Sequence, residues 1–516
     1  MKRVTSGLLD TPAGFGALLL AYLVVHLLLR VLVSRVLTID DAREAVLGQT
    51  LAWGYQARQP PLYNWLVWGT FRLVGVSVLS LTVVKYAVLG TAYAFVYASA
   101  RRILPTPRLA TLATFSLLLV FPVSWTVHEA LTHSTAVLAA GAATVYAVLR
   151  LGESDRLGPY LGLGMATGLG LLSKYTYAVF AAALGLAALT DVRYRRRLLD
   201  ARLLLTLALA AVLVSPALLW LWRHGHDLGQ LYADEVRIER GDTYLGELRS
   251  GLYYIARIAL YYLGPLALAF AVVFPGFLGR VPRSAGESAA PVGTDDCAQA
   301  GGRLLGRFLG AVFLLLVGGA LTGQLAYLKF RWMLPAFGLA PLYAWWRVVR
   351  AGYAPERLRW LAGLLLAVAV AIAVAFVGTV TVGTRLSGRP QRLAEPYDVL
   401  ADRLAQAGFG DGTIVAGPGS LVGSLRLRFP RARVLTLEHP QYVPPREGEG
   451  QCLVVWERGD PARVPPKLAR FLKTALGVRS FDPSEVRVAE APYRLAPGYV
   501  RRIGFVLVPG GVGACR

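Results

Sequence analysis

The chain has 516 residues, of which 55% are apolar, and its mean hydropathy is +0.50. Soluble domains of this length rarely reach such hydrophobicity, so the composition predicts a protein that crosses the membrane several times. The charge is unbalanced, with 54 Lys and Arg residues against 31 Asp and Glu residues, a formal net charge of +23. The arginines cluster between apolar segments, which is typical of cytoplasmic loops facing anionic lipid and argues against a nucleic-acid binder.

The N-terminus has a basic start and then an apolar stretch from Phe15 to Leu37. This stretch is too long for the apolar core of a signal peptide and lacks a small-x-small cleavage site, so we expect a retained first span. The apolar segment from Leu62 to Val78 is interrupted by Arg72 and is predicted to be an amphipathic helix in the interface. The span-length rule predicts about eleven membrane segments in all. They are residues 15–37, 80–100, 108–125, 131–150, 159–173, 175–190, 202–222, 251–279, 304–326, 332–350 and 359–383.

The arginine clusters give the predicted orientation. If the spans alternate, all of these clusters fall on one side, which the positive-inside rule assigns to the cytoplasm. They comprise Lys2-Arg3, Arg101-Arg102 with Arg108, Arg150 with Arg156, Arg193 to Arg197, Arg280 to Arg307, and Arg347 to Arg359. The loop 38–61 then becomes the first external loop.

The composition changes near residue 384, where short β-type runs begin to alternate with helical patterns. We therefore predict a transmembrane domain over residues 1–384 and a small soluble α/β domain over 385–516 on the periplasmic, extracytoplasmic side of the membrane. The Gly-rich run 417–423, GPGSLVG, lacks the spacing of a dinucleotide-binding loop. The three cysteines are far apart and support neither a zinc site nor a disulfide framework.

Ionisable residues gather at the predicted outer ends of the spans. Such residues are unfavourable at a membrane boundary unless they are hydrated, paired or used, so several on one side indicate a site. The alternative is that each marks only the point where a helix meets water. The group consists of Asp40, Asp41, His128, Glu129, His133, Lys174, Lys329 and Arg331.

This combination suits transfer from a phosphorylated, lipid-borne donor. A carboxylate at the membrane surface can deprotonate an acceptor hydroxyl or amine. Lys and Arg side chains can hold the departing phosphate and neutralise its charge. Carboxylates alone would suit hydrolysis, whereas carboxylates with outward cations beside lipid favour a phosphate leaving group.

Residues 40–65, DDAREAVLGQTLAWGYQARQPPLYNW, resemble the first external loop of the GT-C glycosyltransferases related to protein O-mannosyltransferases and to the lipid A aminoarabinose transferase. The segments HEALTHS, GLGLLSKYT and KFRWMLP follow in that family's order and spacing, and together they cover most of residues 1–350. The resemblance implies that residues 1–384 are a GT-C glycosyltransferase domain, with a polytopic α-helical fold in the bacterial inner membrane. It also implies a polyprenyl-phosphate-linked sugar donor and an inverting single displacement on the outer face, with a lipid, glycan or protein as acceptor.

The resemblance also suggests roles for individual residues. Asp40 matches the family's catalytic acidic residue and is expected to be the general base. Asp41 stands where many relatives have Glu, and Glu129 matches an acidic position of the second loop. Lys174 and Arg331 match basic positions expected to hold the donor phosphate. Further candidates for substrate binding are Lys329, Arg58, His128, His133, Tyr55 and Tyr63.

One segment carries residue types that bind metal ions. His224, His226 and Asp227 lie together in the sequence RHGHD and could supply metal ligands, but a solvated loop explains them better. No metal is therefore assigned, and the need for a cofactor stays open. The aromatic residues of the first loop could stack on a sugar or could form an interfacial belt.

A lipid-linked sugar transporter or flippase is the alternative function. Transporters place ionisable groups near the middle of the membrane, commonly in broken helices. In this sequence those groups gather at the outer ends of the spans, which favours the transferase.

Overall fold

The computed structural model describes residues 7–224, 243–278, 296–445, 450–478 and 483–509. Most of its first 380 residues are helical. The helices of this part are α1 Pro12–Val33, α2 Ile39–Leu47, α3 Leu62–Val74, α4 Val78–Ile103, α5 Pro107–Phe115, α6 Thr132–Glu153, α7 Leu157–Ser173, α8 Tyr177–Leu189, α9 Val192–Leu198, α10 Leu203–Arg223, α11 Tyr244–Val273, α12 Asp296–Leu321, α13 Ala340–Ala351 and α14 Pro355–Thr381.

Helices and strands alternate in the C-terminal part. In chain order they are α15 Tyr397–Gln406, β1 Gly412–Ala416, α16 Leu421–Arg428, β2 Arg433–Thr436, β3 Gln451–Trp456, α17 Pro466–Leu476, β4 Arg487–Tyr493 and β5 Ala496–Val508. The predicted fold class, a polytopic helical protein with a small C-terminal α/β domain, is confirmed.

Seven helices of the described residues are long and apolar enough to cross a membrane. Two bent pairs, Pro107–Leu119 with Pro122–Glu129 and Tyr177–Leu189 with Val192–Leu198, raise the number to nine if each pair is one span. The sequence predicts about eleven spans because hydropathy does not register helix breaks. The predicted spans 159–173 and 332–350 correspond to helices of 17 and 12 residues, which are shorter than the bilayer core requires.

The chain divides into two compact units. The first unit contains Met1–Val24, Ala57–Leu62 and Ala87–Ile372, and the second contains Val25–Gln56, Tyr63–Tyr86 and Ala373–Arg516. The acidic pair Asp40-Asp41 therefore belongs to the second unit, and the other predicted polar groups of the membrane spans belong to the first.

Glycines bring α7 and α10 into close contact in the first unit. A Cβ at Gly164 would lie 2.8 Å from the carbonyl oxygen of Thr206, and one at Gly168 would lie 2.7 Å from the Leu213 side chain. This spacing of four residues places both glycines on one helix face, as in the small-xxx-small contacts of membrane helices. The backbones of α7 and α10 can approach this closely because glycine has no side chain at these two positions.

The first unit also brings several of the predicted cytoplasmic clusters together. Arg102, at the end of α4, pairs with Glu153, at the end of α6. Arg197 of α9 donates to Asp155 at 2.9 Å, and Arg307 of α12 donates to Asp191 at 3.2 Å. These segments, which the charge pattern predicts to share one side of the membrane, are thus in contact with one another.

The second unit contains a five-stranded sheet in the order β2-β1-β3-β5-β4. Strands β2, β1 and β3 are parallel, and β5 runs antiparallel to β3 and β4. One face of the sheet packs on α15 and α16 through residues such as Leu400, Leu404 and Leu425. The other face packs on α17 through Leu468 and Leu472. The short helix α2 contributes Val46 and Leu47 to the first of these two cores.

Candidate active site

The acidic pair lies in the first turn of α2. Thr38 is the N-cap, and its hydroxyl accepts a hydrogen bond from the Asp41 amide at 3.4 Å. Asp40 and Asp41 follow within the first turn, where the helix dipole favours negative charge. The segment predicted as a loop over residues 38–61 therefore begins as a helix that fixes the direction of both carboxylates.

Asp41 is neutralised inside the protein. The Lys85 ammonium of α4 lies 2.9 Å from one Asp41 oxygen and 3.1 Å from the other, and the two side chains are only 3% and 5% exposed. The Thr38 hydroxyl donates a further hydrogen bond to Asp41 at 3.1 Å. The buried Arg30 guanidinium also acts electrostatically on Asp41 while donating to the carbonyl oxygens of Ser34 and Val36. These contacts make Asp41 a structural anchor of α2.

Glu44, one helical turn after Asp40 and Asp41, is also buried. Its carboxylate accepts a hydrogen bond from the Asn64 side chain at 2.7 Å. Tyr63, the neighbour of Asn64 on α3, is buried beside Asp41 and Glu44. The element PPLYNW thus presents Tyr63 and Asn64 to the acidic face of α2, which gives the predicted Tyr63 a position within this cluster.

Asp40 is the more accessible carboxylate of the pair. Its side chain is 16% exposed, and Nη1 of Arg43 lies 3.5 Å from its carboxylate. Arg43 also binds Glu438, which follows β2, and its Nε donates to that carboxylate at 3.0 Å. A carboxylate with solvent access and a shared cation can take a proton from an incoming hydroxyl.

The remaining candidates of the first loop have structural or exposed positions. The Tyr55 hydroxyl donates to the Thr50 carbonyl at 2.6 Å and accepts from the Ala52 amide, and its ring packs near Tyr442. These contacts assign Tyr55 to the core of the second unit. Burial, the main cause, raises its pKa. Arg58 is exposed and belongs to the first unit.

His128 and Glu129 lie at a distorted helix end in the first unit. A π-helical segment, Pro122–Thr126, leads into the turn Val127–Glu129, and Leu131 then takes a positive φ of 67°. Left-handed backbone at a leucine is unfavourable, and both π-helical turns and such strain concentrate at functional sites. The Tyr22 hydroxyl lies 2.8 Å from Nε2 of the buried His128, and Glu129 is half-buried.

Lys174 is held at the end of α7. Its ammonium donates to the Ser134 hydroxyl of α6 at 2.7 Å, and the side chain is largely buried. The next residue back on α6, His133, is buried as well. The Ser134 hydroxyl orients the ammonium, and an ammonium is a strong hydrogen-bond donor to phosphate oxygens.

Lys329 and Arg331 flank Phe330 in a short 3₁₀ segment, Phe330–Trp332. Both are half-buried, and the Lys329 ammonium lies 5.4 Å from the ring centroid of Trp332. The Phe330 carbonyl accepts a hydrogen bond from Tyr262 at 2.9 Å, which fixes this segment against α11.

The described residues contain no group of three or more His, Cys, Asp and Glu side chains placed to hold a metal ion. Of the three predicted ligands in the sequence RHGHD, the structure describes His224, which has an exposed ring stacked on Trp220. His226 and Asp227 lie outside the described residues.

The side chains that pair with the carboxylates of α2 were not identified from the sequence. Lys85 and Arg30 lie within predicted spans 80–100 and 15–37, where an ionisable residue indicates a functional or paired site. That rule could have identified both. Arg43 and Glu438 carry no comparable signal, because they are 395 residues apart and meet only through the tertiary fold.

Comparison with known proteins gives results for both sequence and fold. The family model described as dolichyl-phosphate-mannose-protein mannosyltransferase matches residues 58–220. The chain is 31% identical over 497 residues to lipopolysaccharide core galacturonosyltransferase RgtB of Rhizobium johnstonii, covering 95% of this chain and 97% of that protein. It is 29% identical over 452 residues to lipopolysaccharide core galacturonosyltransferase RgtA of the same organism, covering 86% of each.

Among solved structures, ArnT from Cupriavidus metallidurans bound to undecaprenyl phosphate matches with a TM-score of 0.61 at 14% sequence identity. The match covers 96% of this chain and 98% of that chain. This likeness concerns the fold, whereas the likeness to the galacturonosyltransferases extends to the sequence of nearly the whole chain. The protein is therefore a multi-pass membrane glycosyltransferase, a member of the GT-C family that includes the lipopolysaccharide core galacturonosyltransferases.

Proposed function

We propose that this glycosyltransferase moves a sugar from a polyprenyl-phosphate donor to a glycan on a lipid at the outer face of the membrane, with Asp40 as the general base. The acceptor hydroxyl loses its proton to Asp40 as its oxygen attacks the anomeric carbon. The bond from that carbon to the phosphate oxygen breaks, and the polyprenyl phosphate leaves with the electron pair. A single displacement of this kind inverts the anomeric configuration.

The observation that carries the proposal is the contrast within the acidic pair. Asp41 is closed off by Lys85 and Thr38, whereas Asp40 keeps access to solvent on the same turn of α2. A base must reach the proton that it removes, so geometry favours Asp40. Asp41 then serves to hold α2 in place, and Glu129 remains a candidate for orienting the acceptor.

Lys174 and Arg331 are the proposed ligands of the donor phosphate, and Lys329 precedes Arg331 in the same short segment. The Ser134 hydroxyl orients the Lys174 ammonium, and Arg331 lies in a segment fixed by Tyr262. Cations that meet the leaving phosphate stabilise the charge that develops there. The undecaprenyl phosphate bound to ArnT, a protein of the same fold, supports a polyprenyl-phosphate donor.

The names of the two galacturonosyltransferases support a uronic acid as the sugar and a lipopolysaccharide core as the acceptor. The arginine clusters support the orientation, since the paired segments around Arg102, Arg197 and Arg307 would face the cytoplasm. In a bacterial inner membrane the loop 38–61 and the sheet domain would then lie outside.

The test is a transfer assay with purified protein, polyprenyl-phosphate galacturonic acid and lipopolysaccharide core. Wild-type protein should release polyprenyl phosphate only when the acceptor is present. Asp40→Asn should lower the rate by about 10²–10⁴, the usual contribution of a general base. NMR of the product should show an inverted anomeric centre.

Asp402→Asn is the matched control, because Asp402 is an exposed aspartate of the same unit, paired with Arg428. It should transfer at the wild-type rate. An Asp40→Asn protein that folds and transfers as fast as Asp402→Asn would exclude Asp40 as the base.

A further inference from the structure

The C-terminal sheet domain is in direct contact with the helix that carries Asp40. Within the second unit, α16 packs against α2 so closely that a Cβ at Gly423 would lie 2.4 Å from the Cα of Ala42. Ser424 accepts a hydrogen bond from the Leu37 amide at 3.2 Å. The α16 helix therefore faces the first turn of α2, where the acidic pair lies.

Two polar side chains fix the other end of α2 to the sheet domain. The buried Arg426 of α16, 6% exposed, donates to the Ala45 carbonyl, and its guanidinium lies over the ring of Phe71. Gln49 binds the backbone of Val434 twice, accepting from its amide at 2.8 Å and donating to its carbonyl at 3.0 Å. Val434 is on β2, an edge strand of the sheet, so the Gln49 amide occupies the place of a neighbouring strand.

One contact reaches the proposed base itself. Arg43 stands between Asp40 and Glu438, with its Nη1 3.5 Å from Asp40 and its Nε 3.0 Å from Glu438. The Glu438 interaction is the shorter of the two and involves two guanidinium nitrogens. Burial alone would lower the pKa of Arg43, but Glu438 and then Asp40 raise it above its usual value. The guanidinium is thus a permanent cation shared by two carboxylates.

We propose that Glu438 is a positioning residue for Asp40, which acts by drawing Arg43 away from the proposed base. This inference rests on the role proposed for Asp40. Glu438 places a negative charge near Asp40 and keeps the positive charge of Arg43 engaged elsewhere. Both effects make Asp40 a stronger base. A nearby negative charge disfavours the ionised form of a carboxyl group, whereas a nearby cation favours it. The sheet domain would then tune the catalytic helix in addition to supporting it.

Other titratable groups face this arrangement. Glu44 acts electrostatically on Arg43, and Asp40, Asp41 and Glu44 all act on Tyr63. Asp41 is paired with Lys85 and also interacts with Arg30. His439 is next to Glu438, and burial, the main cause, lowers its pKa to about 4. Profiles are therefore measured in both the wild-type and the His439→Gln backgrounds, so that a titration of His439 is not read as one of Asp40.

The test is the pH dependence of kcat/KM for Glu438→Gln. With Glu438 neutral, Arg43 no longer shares its charge with Glu438 and interacts more strongly with Asp40. The acid limb of the kcat/KM profile should therefore move about 0.5–1 pH unit lower. The weaker base should also reduce kcat/KM at pH 7 by about 3- to 10-fold. Glu438→Asp, which keeps the charge, should restore most of the wild-type profile.

Glu490→Gln is the matched control, because Glu490 forms an exposed ion pair with Arg502 on the β4–β5 hairpin of the same domain. It should leave the acid limb unchanged. The proposal is overturned if the acid limb of the kcat/KM profile is the same for Glu438→Gln and Glu490→Gln. It is also overturned if Glu438→Gln loses activity and has a lower Tm while its acid limb stays where it is in wild type. If Asp40→Asn is inactive in that case, only the role of Glu438 fails. If Asp40→Asn is active, the proposed function itself fails.

Discussion

The candidate site residues of the two units have different kinds of contact. In the second unit, the carboxylates on α2 meet cations directly, as in the Asp41–Lys85 pair and the Asp40–Arg43–Glu438 arrangement. In the first unit, the Lys174 ammonium donates to the Ser134 hydroxyl, and the Tyr22 hydroxyl lies 2.8 Å from Nε2 of His128. Ion pairs therefore set the direction of the helix that carries the proposed base, whereas hydroxyl contacts set the direction of the proposed phosphate ligand.

Breaking the Asp41–Lys85 pair should give the largest effect. Lys85→Met leaves a buried carboxylate without its main counterion, and such a loss destabilises proteins by about 3–5 kcal/mol. The Tm in detergent should fall sharply, and transfer activity should fall with it because α2 loses its anchor. The measurement is a thermal unfolding curve together with the transfer assay.

Two companion variants sharpen this result. Arg102→Met removes an ion pair with Glu153 at the other end of α4, where the side chains are 32% and 21% exposed, and should reduce stability by no more than about 1 kcal/mol. The double variant Lys85→Met/Asp41→Leu removes both buried charges and should recover stability. A Lys85→Met protein as stable as Arg102→Met would show that the buried pair does not hold α2.

The fold could largely be predicted from the sequence, whereas the contacts around the acidic pair could not. Composition and arginine clusters predict the membrane fold, and the alternation after residue 384 predicts the sheet domain, because both follow from local patterns. The amphipathic helix predicted from Leu62 to Val78 forms as α3, Leu62–Val74. The position of Lys85 inside a predicted span indicates that it is paired or functional, but no local pattern shows that its partner is Asp41, 44 residues away. The contact of Arg43 with Glu438, 395 residues away, has no local signal at all.

The proposed phosphate ligand gives the next effect in size. Lys174→Met removes the ammonium that would meet the leaving phosphate, and kcat/KM should fall by about 10², the usual loss for one stabilising donor. The variant should also bind free polyprenyl phosphate more weakly. The measurements are transfer kinetics and inhibition by added polyprenyl phosphate.

Ser134→Ala separates orientation from charge. It removes the hydroxyl that holds Lys174 and keeps the ammonium, so the loss should be smaller than for Lys174→Met. Lys174→Arg should retain part of the activity for the same reason. Equal inhibition by polyprenyl phosphate in wild type and Lys174→Met would remove Lys174 from the phosphate site.

A smaller, pH-dependent effect is expected at His439 in the second unit. The side chain is 6% exposed, and burial, ahead of the opposing influence of Glu438, lowers its pKa from 6.5 to about 4. The unfolded chain therefore binds a proton more readily than the folded protein between these values. The free energy of unfolding is fully retained above pH 6.5 and falls as the pH drops towards 4, by about 2 kcal/mol at pH 5.

His439→Gln should remove this part of the pH dependence, so its Tm should fall less than that of wild type between pH 7 and pH 5. His224→Gln is the matched control, because His224 is exposed and stacked on Trp220 in the first unit. That variant should keep the full wild-type loss of Tm. Parallel Tm profiles for wild type and both variants would contradict the burial of the neutral imidazole.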